Sequence, residues 1–598
     1  MLDFTLSPVQ GFVGQARRTR DFWAGSYLIS YLTAHAIKGF LESSESITQD
    51  PGRSGEINLG DDVPGSPSSE GMSKIIFPFV HDDPLLCAVM GTKIPESEFE
   101  DGARIASLPN RFTGKCSNPV AAGEAAAEAV RSAWTNLSLG VWKAVRARLA
   151  RSPMYTDVLP EFSYEDSLPP TWARQLENHW ELYWVAGAGP AGVDQRKNWR
   201  QMYMFDETGE ICTMCGERVV AFGEGLPRWK VRQIWHGEGG IVECINGIGA
   251  SDQWRFALDV KHKERLCAVC LLKRIFPHVA EDVIGWPVPV SFPSTHDLAY
   301  ALGGQGSSDA AGPEFPYYSV LLMDGDNMGR HLTENPNRTD EISEAISSFS
   351  RMVPQVVERQ YQGKVVYAGG DDVLAFLPAN AALCCAESLR KLFVSASESS
   401  GVPMTISAAI LYTHIKSPLQ AALATTHRLL DNIAKDGIGR DAFVIQVEKR
   451  GGSPLTVAKP WESKADNGVH GESNVLRWAE CIDELSSQVF GSKDEGYSSR
   501  FLYNISELLE PFIHPCDAGS SKGPTMEAVD MLPVLAAEYL RGPGALMKVD
   551  WDEAIRRMRK LYSLCLWEPR ESGKVRDRLL QPEALPLIKF LAEAEGVK

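Results

Sequence analysis

Three aspartates have the clearest capacity for chemistry. Asp324 closes an apolar run, YYSVLLMDGD. Asp371 and Asp372 sit in KVVYAGGDDVLAFLP, between two apolar stretches that read as the arms of a hairpin. If these runs are neighbouring, central strands of one sheet, the three carboxylates converge on one edge. Hard cations such as Mg²⁺ or Mn²⁺ take oxygen ligands of this kind and share them with substrate phosphates. Two such ions stabilise both the attacking and the leaving oxygen of an in-line displacement. Gly369 and Gly370 are expected to supply positive φ and to let phosphates approach the backbone. The turn GDNMG, comprising Gly325, Asp326, Asn327, Met328 and Gly329, offers amides ahead of a helix as a triphosphate cradle. Lys435 and Arg440, in AKDGIGRD, add two cations suited to neutralising a triphosphate. The bland alternatives are a polar type I′ turn for GGDD and helix-dipole pairing for the cations.

Cysteines form the second constellation. Cys212 and Cys215 make one CxxC pair, Cys267 and Cys270 another, and the remaining eight of the twelve are scattered. That is no disulfide framework, and paired CxxC in a reducing compartment suggests metal. Four thiolates make a tetrahedral Zn²⁺ site with no open position, which is structural. The 51 residues between the pairs exceed the common ribbon spacing, so another element must sit between them. Two separate redox pairs are the alternative.

The elements that must position these groups follow from the apolar pattern. From Tyr317 the order is strand, helix, strand, strand, helix, strand, helix, strand, ending in DAFVIQV. This is the ferredoxin-like plan with an added helix and strand. The third helix is expected to open with Ser417 as N-cap and Pro418 at its first position. Near the start, DFTLSPVQGFV reads as a strand and its exit, and about 16–40 as a helix. KIIFPFV (74–80) is a buried strand and 123–150 an amphipathic helix. Residues 42–73 suggest a flexible surface insertion and 277–316 a connector. After about Lys459 the periodicity is helical almost throughout. The expected fold is therefore α+β and multidomain.

Bulk properties set limits. A chain of 598 residues exceeds a single core. No apolar run reaches the roughly 18 residues that span a bilayer, and the N-terminus does not read as a signal peptide. A cytoplasmic protein without a membrane partner is expected. The net charge of −17 repels phosphate on average, so nucleic acid would need local basic patches. QARRTR, with Arg17, Arg18 and Arg20, is one such patch or simply a solvated helix face.

YAGGDD, DGDNMG and the AKxxGxxR run resemble the palm domain shared by diguanylate cyclases and CRISPR polymerase-cyclase subunits. GGDDV, in place of GGDEF, is similar to the CRISPR branch. SPVQGFVGQARRTRDFWAGSYLISYL looks like the first palm of the large subunit of Cmr-type (type III-B) CRISPR effectors. SLPNRF (107–112) and PSTHDLA (293–299) are also typical of that subunit. The resemblance covers roughly residues 1–450. It implies a catalytically degenerate first palm over 1–200, a zinc-binding domain and connector over 201–316, a second palm over 317–455 and a helical domain over 456–598.

The resemblance also implies an activity. Guide RNA and target RNA, held with other Cmr-type subunits, would switch on the second palm, which would join ATP 3′ to 5′ into cyclic oligoadenylates. Asp324, Asp371 and Asp372 would hold the catalytic Mg²⁺ or Mn²⁺, Lys435 and Arg440 would contact phosphates, and Ser26 would line the acceptor nucleotide unless it merely packs. HDDP (81–84) is a faint echo of GGDD and is read as a loop. Many members carry an N-terminal HD nuclease; neither His81–Asp82 nor His296–Asp297 fits one, so its absence is expected. A stand-alone diguanylate cyclase and a non-catalytic scaffold are the competing readings.

Overall fold

The computed structural model describes residues 1–43, 73–92, 103–150, 152, 159–187, 192–193, 195–196, 207–246, 260–261, 263–290, 292–300, 315–464, 475–489, 497–509, 531–543, 548–567, 570–571, 574–575 and 579–596. The predicted insertion, apart from its ends, lies outside these residues, as does 301–314 of the predicted connector. Contacts divide the chain into two compact units. One is Met1–Phe292 with Asn335–Ser347 and Val366–Gly370; the other is Pro293–Glu334 with Ser348–Val365 and Asp371–Lys598.

The first unit is built on β1 (Leu2–Ser7), β2 (Lys74–Phe77), β3 (Arg111–Lys115) and β4 (Glu181–Ala186), in the order β2-β3-β1-β4 with every pairing antiparallel. Leu2, Phe4 and Leu6 alternate along β1 and are fully buried, as a period of two requires for a core-facing strand. Helices α1 (Thr19–Glu42) and α2 (Pro119–Leu149) cross over this sheet. They close tightly at Gly39, where a Cβ would stand 2.6 Å from the Ala125 carbonyl oxygen. α1 starts at Thr19 rather than near Ala16, because the Asp21 carboxylate accepts from the Arg17 and Arg18 amides and fixes the first turn there.

Helix α3 (Ala268–Ile284) supplies the polar centre of this unit. The Arg274 side chain is fully buried; its Nε and one terminal nitrogen reach the two Asp21 oxygens at 2.6 and 2.8 Å, and the other nitrogen reaches Glu264 at 3.1 Å. Beside it Lys273 donates to the Phe12 and Gln15 carbonyls. The connector predicted from 277 begins later, since α3 continues through Pro277 to Ile284. Proline costs the helix one hydrogen bond, and burial of the surrounding apolar side chains, Ile275, Phe276 and Val279, offsets it.

The second half of the chain carries a six-stranded sheet: β5 (Tyr317–Gly325), β6 (Lys364–Gly369, of which Val366–Gly369 group with the first unit), β7 (Asp372–Pro378), β8 (Ile406–His414), β9 (Ala442–Glu448) and β10 (Leu455–Pro460), ordered β10-β9-β8-β5-β7-β6. Its first four strands follow the same order as the four of the first unit, so both halves share the ferredoxin-like plan. β6 is an edge strand rather than a central one. β10 lengthens the expected sheet by pairing antiparallel to β9. Helices α4 (Thr339–Pro354), α5 (Ala382–Ser399) and α6 (Leu419–Leu429) connect the strands, and α6 runs on into a π-helical segment, Leu430–Ile438. α6 opens one residue later than expected, with Pro418 in extended backbone as its cap and no side-chain capping bond.

Beyond the sheet come helices α7 (Trp478–Ser487), α8 (Ser499–Leu509), α9 (Leu532–Arg541), α10 (Trp551–Leu564) and α11 (Ala584–Gly596), the helical end that the periodicity indicated. Phe590 of α11 packs against Phe315, Tyr317 and Tyr412. Lys459 is buried, with its ammonium 4.1 Å from the centre of the Trp478 ring and bonded to the Ser563 and Leu566 carbonyls. Among the described residues no helix is long and apolar enough to cross a membrane.

The buried pairing of Asp21 with Arg274 yields a stability prediction. Burial alone raises the Asp21 pKa, but the Arg274 guanidinium overrides it and holds the carboxyl below its usual value. A depressed folded pKa means that the stabilisation is present above the unfolded pKa and is lost as pH falls through the folded one. Asp21→Ala leaves a buried guanidinium short of a partner and should cost about 3–5 kcal/mol. Thermal unfolding at neutral pH measures the loss, and the gap from wild type should narrow as the pH is lowered below about 4.

Candidate functional site

β5 and β7 pair antiparallel as far as Met323 opposite Val373. One step further along that register Asp324 faces Asp372, and cross-strand partners share a face. Asp371 precedes β7 in the two-residue turn and leans onto the β5 exit. A Cβ at Gly325 would lie 2.7 Å from its carboxylate oxygen, so only glycine leaves room for this approach. The Gly325 amide donates to the Asp371 carboxylate. The backbone thus sets the three predicted acids at one strand end, while among the described residues only the four paired cysteines lie close enough together to hold an ion as they stand.

The hairpin departs from expectation in its glycines. Gly370 has φ +66°, whereas Asp371 and Gly369 have no positive φ. A type I′ turn needs two such residues, so this is not one. Gly369 is required for another reason: a Cβ there would fall 2.4 Å from the Ser107 carbonyl oxygen, beside the bond from the Ala368 amide to the Ala106 carbonyl. Its backbone is covered by protein rather than left open to phosphate.

The electrostatics are those of acids in need of a counter-charge. Desolvation first, then repulsion from Asp372, pushes half-buried Asp371 up to about 7. Asp372 is exposed and rises less, to about 6, through desolvation, with His427 opposing and Asp431 reinforcing the rise. Lys435, on the π-helical segment, forms an ion pair with Asp324. Burial and the nearby Arg440 charge pull its ammonium down to about 8, and the Asp436 charge opposes that. A positive charge beside Asp371 and Asp372 would lower both pKa values again.

Asp326 does not belong to the cradle predicted around it. It is 1% exposed, and its carboxylate accepts from Ser407 Oγ at 2.8 Å, Thr405 Oγ1 at 2.8 Å and the Asp441 amide at 2.9 Å. With every lone pair directed inward, it ties the β5 exit to β8 and to the turn before β9. That turn is strained: Gly439, Arg440 and Asp441 all have positive φ, at 103°, 70° and 46°. Arg440 is partly exposed, with Asp436 3.9 Å away. Asn327 (φ +58°) and Gly329 are exposed on the other side of the exit. Ser26 is buried on α1 at 6% exposure, which is the packing alternative.

His427, Asp431, Thr405 and Ser407 were not anticipated. A spacing of four sets His427, Asp431 and Lys435 in a row along one helical face, a signal that the sequence did contain. Thr405 and Ser407 act only through Asp326 and left none. In the first unit β1 ends at Ser7–Pro8, with no acid at its exit. Residues 78–110 separate β2 from β3 where the second sheet has a tight turn, and Asp83 of HDDP caps the helix Pro84–Met90 through the Leu86 amide.

The four paired cysteines also converge. All four sulfurs lie within 4.8 Å of one another, so they are not two isolated redox pairs. Cys212 and Cys215 occupy a knuckle closed by the Ile211–Val219 bridge, with Gly216 at φ +72°. Cys267 caps α3, and Thr213 and Arg265 exchange bonds that hold the two segments together. The intervening stretch contains the helices Arg228–His236 and Ile241–Asn246, as the long spacing required. Four thiols at this separation could hold a metal such as zinc.

Residues 317–444 match the Cas10/Cmr2 second palm domain, and residues 1–138 match the N-terminal domain of CRISPR-associated protein Cmr2. These two stretches are similar to domains of the Cas10/Cmr2 family. Over 176 residues it is 36% identical to the CRISPR system Cmr subunit Cmr2 of Pyrococcus furiosus, a match covering 24% of this chain and 20% of that relative. Two solved type III-B Cmr-beta structures are similar over 99% of this chain. The apo state has TM-score 0.59 and is covered over 81% of its chain; the state bound to cognate target RNA has TM-score 0.60 and is covered over 83%; both are 13% identical. At that identity the likeness is one of fold.

Two outcomes are expected from the site. Cys215→Ala should strip zinc from the knuckle, read as metal content by mass spectrometry, and lower the melting temperature. Gly325→Ala should displace the Asp371 carboxylate and weaken Mn²⁺ binding by about tenfold in calorimetric titration.

Proposed function

We propose that this chain is the large subunit of a Cmr-type CRISPR ribonucleoprotein, acting with guide RNA, other Cmr-type subunits and matching target RNA. In this reading its second palm joins ATP into cyclic oligoadenylates. The observation that carries it is the meeting of Asp324, Asp371 and Asp372 at one strand exit, with Lys435 beside them. A Cmr-beta protein of similar fold bound to cognate target RNA supports the RNA partner.

The reaction joins the 3′-oxygen of one nucleotide to the α-phosphorus of another. The α–β bridging bond breaks, pyrophosphate leaves and the hydroxyl proton passes to solvent or base. Asp324, Asp371 and Asp372 would hold Mg²⁺ or Mn²⁺, which supplies charge neutralisation for the attacking and leaving oxygens. Lys435 would exchange its contact with Asp324 for a phosphate, and Arg440 stands one turn on as a second phosphate cation. Asn327 and Gly329 would form the exposed side of the cradle, with buried Gly325 and Asp326 positioning it. Little covalent help is needed, because positioning and charge supply the rate. We assign zinc to Cys212, Cys215, Cys267 and Cys270 as a structural ion. The proposed division remains first palm 1–200, zinc domain and connector 201–316, second palm 317–455 and helical domain 456–598, with β10 carrying the sheet on to Pro460.

The test is incubation of the guide-loaded complex with labelled ATP and Mn²⁺, with and without target RNA, followed by mass spectrometry. Oligoadenylates that form only with target are expected. Asp371→Asn with Asp372→Asn should cut turnover at least about a hundredfold while the complex still assembles. No turnover by the wild-type complex would leave the scaffold reading, and selective use of GTP the diguanylate cyclase one.

A further inference from the structure

The zinc knuckle borders a cavity of about 520 Å³ that the ATP chemistry does not use. Gly209, Glu210, Ile211, Thr213, Arg228 and Arg265 are among its lining residues. Its floor is polar and incompletely paired. The Glu210 side chain is 8% exposed; Oε1 takes Arg265 at 2.8 Å and Arg228 at 3.3 Å, and Oε2 has no partner. Arg265, whose side chain is 12% exposed, likewise keeps an unpartnered Nε. Glu210 and Arg265 both line the cavity, with apolar Ile211 and Leu226 beside them, although the unpartnered Glu210 Oε2 and Arg265 Nε atoms are themselves buried.

The rim is cationic in a chain of net charge −17. Arg17, from the basic run near the N-terminus, is exposed and bonds to the carbonyl of Thr213 at the cavity. Lys261 and Lys263 are exposed just before Arg265. The helix Arg228–His236 buries Val231, Ile234 and Trp235 and turns Arg228, Trp229 and Arg232 outward, with Trp229 67% exposed.

We propose that this cavity and helix seat single-stranded RNA: one base enters the cavity, its neighbour stacks on Trp229, and the phosphates lie along Arg17, Arg228 and Arg232. Exposed aromatics among cations are how single strands are held without pairing. The seat reads no base edge; the larger adenine ring stacks more strongly on Trp229 than uracil does. This seat is independent of ATP turnover, so it can fail or hold whatever becomes of the cyclase reading.

The test is fluorescence anisotropy of the full, zinc-loaded chain with short labelled oligo(A), oligo(C) and oligo(U). Oligo(A), with the larger ring to stack, should bind more tightly than oligo(U). Trp229→Ala should weaken binding by about tenfold. Arg232→Ala should lower the salt dependence by about one counterion. Both side chains are exposed, so zinc content and melting temperature should not change. The proposal is overturned if the wild-type chain fails to bind at low salt, if both variants bind like wild type, or if oligo(U) binds best. Unchanged RNA binding with lost assembly of another protein subunit would overturn it too, and would make this face a protein contact.

Discussion

One buried carboxylate organises the acidic edge. Asp326 accepts hydrogen bonds from Thr405, Ser407 and the Asp441 amide, and its own amide donates to the Thr405 carbonyl. Those bonds fasten three chain segments that are far apart in sequence: the end of β5, the start of β8 and the left-handed turn ahead of β9. Asp324 is two residues before it, and Arg440 precedes the residue whose amide it captures. Burial raises the Asp326 pKa and the three donors oppose the rise, so the group is a strong acceptor only while all three are in place. The placement of Asp324 and of Arg440 depends on this knot, whereas Asp371 and Lys435 have contacts of their own.

The first unit rests on a comparable device with a different purpose. Arg274 joins Asp21 of α1 to Glu264 just ahead of the second cysteine pair, and Lys273 next to it seals the carbonyls of Phe12 and Gln15. The knuckle and the first palm are therefore joined through one helix, α3, whose N-terminus carries two of the four thiols. Loosening the cysteine cluster loosens the end of the element that neutralises Asp21.

Much of this could be read from the chain. Alternation along YYSVLLMD and KVVYAGG fixed strands that form whatever the packing, and the CxxC spacing left few uses for four thiols. What escaped was what depends on tertiary partners. Gly369 and Gly370 look alike in sequence, yet one serves a positive φ and the other a close carbonyl. Asp326 looks as ligand-like as Asp324, and only the hydroxyls of Thr405 and Ser407, some eighty residues on, turn it inward. Pro277 suggested a break, and a buried helix absorbed it. β10 was missed because a hairpin partner with its own Gly-Gly turn reads as linker.

The turn between β6 and β7 spans only Gly370 and Asp371. A loop this short has almost no independent motion, so the carboxylates at its tip move only as the sheet moves. The acidic edge behaves as a fixed stamp rather than a hinge. If the edge works as proposed, control would have to act on what is delivered to it, because the edge has no slack with which to open or close.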